Sequence, residues 1–543
     1  MFKTRRIPAP ETDSATLSVQ ELSNAETPTR FRQYEETIRR SVILAILYLA
    51  PAVWILHPVI FDADIWWHLQ TGRWIVDHGQ LPNTDPFSAY GEGKPWFAYS
   101  WLFEIGMYEL VQWCGERGIL LYTLLGTWLA MLSIHRLIGK RFSDFVVVVG
   151  LMTVSLLTLS KLLTPRPWLL TIVCFAVTLE VVLSLREGKR CGWFWALPLI
   201  YLVWANIHIQ FIYGLGLLGL ACTAPLIDKI TQPYTGTRPT MAWGDGSWKR
   251  LATLTLACVV ATLLTPHHVR LYSIVVELAA QTGMWEYTQE MQALPFRSVG
   301  DWAVLGLFAV TLVLIGWKRS FSAFDVLLMT AAAISAFRGQ RDVWFLTLSS
   351  VAVLASLWGT NQSRILPMIS RKELFAACCM VALGVSVIFA KETMTEQKVR
   401  DNTAKIFPVE AADFVNKRRY KGPLYNNFDW GGYLIWRLPQ LKVSMDGRAN
   451  VHGDERIKES IATWDGKPGW DNDLELDEAG LVIARRSDSL TSLLKRDRRF
   501  EAVYEDETSV VFIKASRQDG ESSSLDSATV MPEPMLAAFG QTR

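Results

Sequence analysis

Between residues 41 and 391 the chain returns again and again to apolar runs long enough to cross a bilayer. Eleven can be marked, at 41–60, 118–137, 144–163, 168–185, 193–207, 211–228, 250–266, 302–317, 322–338, 343–359 and 374–391. A segment in hydrocarbon must satisfy its backbone polar groups internally, so each run is expected to be a helix. Half of all residues are hydrophobic and mean hydropathy is +0.19. The expected fold class is an α-helical polytopic membrane protein with about 11 transmembrane helices.

Charge placement sets an expected orientation. Basic residues fall in alternate loops: "GKRFSD" at 139–144, "REGKR" at 186–190, the 229–249 loop ending in "WKR", "WKRS" at 317–320 and "SRILPMISRKE" at 363–373. By the positive-inside bias these face the cytoplasm, together with the N-terminus. Residues 1–40 are polar and begin with a basic cluster that no apolar core follows. They read as a cytoplasmic, disordered tail rather than a signal peptide. The net charge of +2 favours no particular partner, and no nucleic acid is expected. No Cys-x-x-Cys spacing occurs, so neither zinc nor disulfides are implied.

The same register puts 61–117, 164–167, 208–210, 267–301, 339–342 and everything after about 391 on the other face. Seven of the eight histidines fall outside the cytoplasmic side, with His135 the exception. Polar chemistry gathered at one face from many loops reads as a single site. Within loop 61–117, "WWHLQTGRWIVDHG" and "PWFAYSWLFEIGMYELVQWCGERG" have helical apolar spacing and end at glycines. Both are expected to be interfacial amphipathic helices with tryptophan at headgroup depth. Residues 392–515 change to a soluble pattern of alternating helices and strands, read as an extracytoplasmic α/β domain. Residues 516–543 again look disordered.

Several constellations carry possible chemistry. In "FDADIWWH", Asp62 and Asp64 can share a divalent cation, Mg²⁺ or Mn²⁺, or one can serve as a base. The plainer alternative is two solvated acids with Asp64 as a helix N-cap. His68 follows one turn later. Arg166 in "LLTPRPW", and Arg338 and Arg341 in "RGQRDVWF", can grip a phosphate or simply anchor helix ends. His208 in "WANIHIQF" and His267 and His268 in "TPHHVRLY" are candidates for polar contacts to a substrate or, less readily, for metal ligation, the plainer alternative being ordinary interfacial histidines. In "YNNFDWGGYLIW" Asp429 can cap a helix or face the site. "VSMDGRANVHGD" is either a well-made turn or a binding edge. No phosphate-binding Gly-rich loop, GxSxG or HExxH is present.

The first external loop, "FDADIWWHLQTGRWIVDHGQLPNTDPFS", resembles that of the GT-C superfamily, which includes oligosaccharyltransferases and mannosyltransferases. These integral-membrane glycosyltransferases use a polyprenyl-phosphate-linked sugar. They place an Asp-x-Asp type motif in this loop before a membrane-parallel helix. "FDWGGYLIW" is distantly similar to the Trp-Trp-Asp-Tyr-Gly motif of oligosaccharyltransferases but departs from it, with Phe428 before the aspartate. The resemblance implies a polyprenyl-phosphate sugar donor, a glycan, lipid or protein acceptor, and contact with membrane lipids. It implies Asp62 or Asp64 as base or metal ligand and Arg166, Arg338 and Arg341 at the phosphate. His68, His208 and Asp429 would contact substrate, and tryptophans of 66–101 would line the sugar and lipid path. The expected location is a bacterial inner membrane. The competing classes are a transporter, which would favour mid-membrane charges and paired broken helices, and a non-catalytic envelope assembly protein.

Overall fold

The computed structural model describes residues 19–56, 62–142, 144–235, 241–281, 288–318, 322–358, 371–390 and 395–515. The C-terminal stretch 516–543 and residues 1–18 of the expected N-terminal tail lie outside these. All eleven expected spans fall on helices: Val19–Ile55, Arg117–Gly139, Phe145–Leu159, Trp168–Arg186, Leu197–Ile207, Phe211–Thr235, Gly246–Thr262, Val299–Lys318, Ala323–Arg338, Val343–Trp358 and Arg371–Ala390. Six stretches among the described residues are long and apolar enough to cross a membrane: Tyr34–Ile55, Arg117–Gly139, Phe145–Leu162, Trp168–Arg186, Phe211–Thr231 and Val299–Lys318. The chain is an integral membrane protein. Apolar side chains such as Leu256, Val313 and Ile334 point outward, as a lipid-facing surface requires.

The first helix begins at Val19, so much of the stretch expected to be a disordered tail is helical. Glu36 pairs with Arg39 and Arg40 at i,i+3 and i,i+4 spacing, which supports a helix locally.

The two interfacial helices form as expected, Ile65–His78 and Trp101–Cys114. The first ends at Gly79 in the left-handed region (φ 66°). They pack against each other closely: a Cβ on Gly72 would stand 2.1 Å from the Glu104 carbonyl oxygen. Their tryptophans are not uniformly exposed as lipid-facing anchors would be: Trp113 is exposed and Trp67 is buried. Trp66 is fully buried, edge-on to Tyr433 at 5.0 Å and to Phe407 at 5.9 Å. The reason is that helix Phe428–Arg437 of the C-terminal region lies over helix Ile65–His78 and shares its apolar core.

That C-terminal region is built on a four-stranded sheet. Its strands are β1 (Leu424–Asn426), β2 (Leu481–Arg485), β3 (Phe500–Glu505) and β4 (Ser509–Lys514), in the order β1-β2-β4-β3. β1 runs parallel to β2, with Tyr425 opposite Val482. The other pairs are antiparallel. The buried centre strands read Val/Ile/Leu-rich, as strands covered on both faces do. At the β1 edge, Val443 pairs its backbone with Leu424 on one side and with the Phe87–Ala89 loop on the other. The first long loop is thereby stitched to the sheet.

Candidate active site

A cavity of about 650 Å³ lies where loop 62–100, the helix ends near 161–168, 208 and 340, and the turn at 447–450 converge. Asp62, Asp64, His68, Arg166, His208, Arg341 and Asp429 all line it. Arg338 does not. It is exposed at the last residue of its helix, while Gln340 and Arg341 just beyond it line the cavity. His267 and His268 also lie outside the lining, with His267 directed at the Ala98 carbonyl oxygen.

The two aspartates divide their work. Asp62 Oδ1 accepts the backbone N–H groups of Asp64 (2.9 Å) and Ile65 (3.0 Å), so Asp62 caps the helix and the Asp64 side chain does not. Arg166 bridges the pair, donating from Nε to Asp62 Oδ2 (2.6 Å) and from Nη1 to Asp64 Oδ2 (2.5 Å). Glu290 stands 3.9 Å from its third nitrogen, Nη2. Asp64 Oδ1 has no hydrogen bond among the described residues. Burial raises the Asp64 carboxyl to about 6, Arg166 working against that and Asp62 and Glu290 adding to it.

As these side chains stand, Arg166 occupies the space between the carboxylates where a shared cation would sit, and among the described residues no three His, Cys, Asp or Glu side chains converge on a point.

Two histidines face the cavity with one nitrogen already engaged. His68 Nδ1 lies 3.1 Å from Glu104 Oε1, and both residues are buried. Burial holds the Glu104 carboxyl well above its ordinary range and the His68 imidazole well below. His208 Nδ1 lies 2.8 Å from the Thr171 hydroxyl, which itself accepts the Trp204 indole N–H. The hydroxyl keeps both its proton and a second lone pair, so this contact is compatible with either ring tautomer of His208.

Arg341 differs from the other cations. Lys161 is held by Asp301 (2.6 Å) and Arg448 by Asp85 and Asp446 (2.7 Å each). Arg341 has no hydrogen bond and no carboxylate within 4.0 Å among the described residues, and its Nε is buried.

The "VSMDGRANVHGD" turn borders the cavity, with Gly447, Arg448, Ala449 and Asn450 in its lining. A Cβ on Gly447 would stand 1.9 Å from Asp64 Oδ1, so only glycine lets the carboxylate sit where it does. The turn cannot retreat easily. Arg448 is 2% exposed, ion-paired on both sides and stacked on Phe87 and Trp96. "FDWGGYLIW" is largely buried helix. Asp429 sits at its exposed start, paired with Arg485 at 2.9 Å.

Of the expected tryptophan lining, Trp67 and Trp96 reach the cavity. Glu104, Tyr99, Lys161 and Glu290 line it too and were missed from sequence. Only Glu104 left a usable signal: a carboxylate on an otherwise apolar helical turn, "WLFEIGM".

No family model matches the sequence, and no curated protein matches it. Similar solved structures include the archaeal oligosaccharyltransferase AglB from Archaeoglobus fulgidus, in complex with an inhibitory peptide and a dolichol-phosphate. It is 13% identical over 84% of this chain and 70% of that one, with a TM-score of 0.46. ArnT from Cupriavidus metallidurans bound to undecaprenyl phosphate is 14% identical over 90% and 99%, with a TM-score of 0.45. The same enzyme in its apo state is 15% identical over 88% and 99%, with a TM-score of 0.44. These values are too low to carry an activity across.

Proposed function

We propose that the protein is a membrane glycosyltransferase that moves a sugar from a polyprenyl-phosphate-linked donor to a hydroxyl on an extracytoplasmic glycan, lipid or protein. The observation that carries this reading is one cavity holding both an arginine without a hydrogen-bond partner among the described residues, Arg341, and an acid pair already held by another, Arg166. A half-buried guanidinium with its Nε sealed and no carboxylate within 4.0 Å among the described residues suits an anion, and its fork matches a phosphate. Leu162, Leu278 and Met291 supply an apolar wall suited to a prenyl chain, and Trp67, Trp96 and Phe97 supply aromatic surface for a sugar. The resemblance of "FDADIWWH" to the GT-C first loop points the same way.

In the reaction the acceptor oxygen forms a bond to the anomeric carbon as the bond to the phosphate oxygen breaks. Asp64 takes the hydroxyl proton, because its Oδ1 is free whereas both Asp62 oxygens are engaged. Arg341 and Arg166 stabilise the charge that develops on the departing phosphate. The cavity faces away from the cytoplasm, with the N-terminus inside, in a bacterial inner membrane.

The test is release of polyprenyl phosphate by the purified full-length protein from polyprenyl-phosphate-linked hexoses and pentoses. Release lost in a folded Asp64→Asn variant supports the reading. Tight binding of the lipid phosphate without turnover of any donor, with or without candidate acceptors, would favour transport or envelope assembly instead.

A further inference from the structure

One buried group in the cavity has no part in those steps. Glu104 is 1% exposed, its Oε1 faces His68 Nδ1, and its Oε2 has no hydrogen-bond partner among the described residues. Its backbone is pinned by the close approach of Gly72. The His68 ring is fixed between Trp67, at 3.6 Å, and Phe103, edge-on at 5.3 Å. His68 Nε2 has no protein partner among the described residues and belongs to a side chain that lines the cavity. With one proton shared between Glu104 Oε1 and His68 Nδ1, as neutral carboxyl and imidazole or as carboxylate and imidazolium, Nε2 carries a hydrogen. Arg166 and His208 face His68, while Arg448 and Tyr99 face Glu104. The first two are also groups set around the phosphate.

Resting on the glycosyl-transfer reading, we propose that His68 and Glu104 form an acid dyad, in which His68 Nε2 protonates the departing phosphate oxygen. The atoms balance. The bond from the acceptor oxygen to the anomeric carbon forms, and the bond from that carbon to the phosphate oxygen breaks. The acceptor proton goes to Asp64, and the Nε2 proton goes to the phosphate. The Glu104 proton shifts to His68 Nδ1, and the Asp64 proton returns to the dyad through water. His68 is the catalytic residue and Glu104 the positioning one. Burial disfavours the net negative, deprotonated dyad and so favours its acid form. An acid and a base acting together need groups placed on opposite sides of the reacting centre, which the dyad and Asp64 supply in one cavity.

The experiment measures kcat against pH for release of polyprenyl phosphate by the full-length protein, with affinity for polyprenyl monophosphate measured in parallel. Wild type should lose activity on the alkaline side as the dyad deprotonates. Glu104→Gln and His68→Gln should each lower kcat about 100-fold or more and abolish that alkaline loss, with lipid-phosphate affinity retained. Retained affinity also reports folding, and either variant alone suffices if the other fails to fold. Wild-type kcat and an unchanged alkaline limb in a folded variant would overturn the dyad and leave glycosyl transfer standing. A wild type that neither binds polyprenyl phosphate nor turns over a donor would sink the parent reading, and the dyad with it.

Discussion

Gly447→Ala probes the site without touching a charged group. The new methyl would stand 1.9 Å from Asp64 Oδ1, a separation no carbon and oxygen tolerate. One side must move. The turn is held by Arg448 between Asp85 and Asp446, all within 3% exposure, so the short Asp64 side chain yields. Rotating it breaks the 2.5 Å bond to Arg166. A charge-assisted hydrogen bond contributes about 1.5–3 kcal/mol, and a displacement of about 1 Å at a reacting group can cost about 100-fold in rate. We expect kcat for polyprenyl phosphate release to fall about 100-fold. The melting temperature should move little, because a flexible side chain and not the backbone absorbs the clash. The pH profile adds a second readout. Arg166 pulls the Asp64 carboxyl down from where burial would place it, so losing that contact raises it. The acidic limb of the rate profile, near 6 in wild type, should shift upward. A Gly447→Ala enzyme with wild-type kcat and an unmoved acidic limb would refute the placement of Asp64 as base.

Other perturbations separate binding from stability. Arg341→Gln should weaken polyprenyl-phosphate binding about 10- to 100-fold, as loss of a charged hydrogen-bond donor predicts, while leaving thermal stability intact. Unchanged affinity by fluorescence titration would remove Arg341 from the phosphate site. Arg448→Met leaves Asp85 and Asp446 buried without their cation and should cost about 3–5 kcal/mol, seen as an early thermal transition. A wild-type melt would contradict the buried network. Trp66→Ala should destabilise the joint between the first loop and the C-terminal region by about 3–5 kcal/mol, read as faster proteolysis between 391 and 424. Chelation with EDTA should leave donor turnover unchanged, since Arg166 holds the place between the carboxylates; activity restored only by Mg²⁺ or Mn²⁺ would show that Arg166 gives way to a cation.

The parts of this protein that follow from local pattern were legible in its sequence. Apolar runs located eleven helices because a span must bury its backbone within itself, whatever its neighbours. Helical periodicity and terminal glycines located Ile65–His78 and Trp101–Cys114. Loop alternation placed Asp62, Asp64, His68, Arg166, His208 and Arg341 on one face, since helices of bilayer length return the chain to the same face every second crossing, but it placed His267, His268 and Arg338 there too, and these do not line the cavity. Pairings were a different matter. That Arg166 would clamp the acids, that Glu104 would meet His68, that Gly447 would make room for Asp64 and that Trp66 would be sealed under Tyr433 depend on contacts 36 to 383 residues apart. Periodicity reports which face of an element is apolar, not what lies across from it. Helix packing and the docking of the sheet region chose those partners, and with them the protonation states that give the cavity its chemistry.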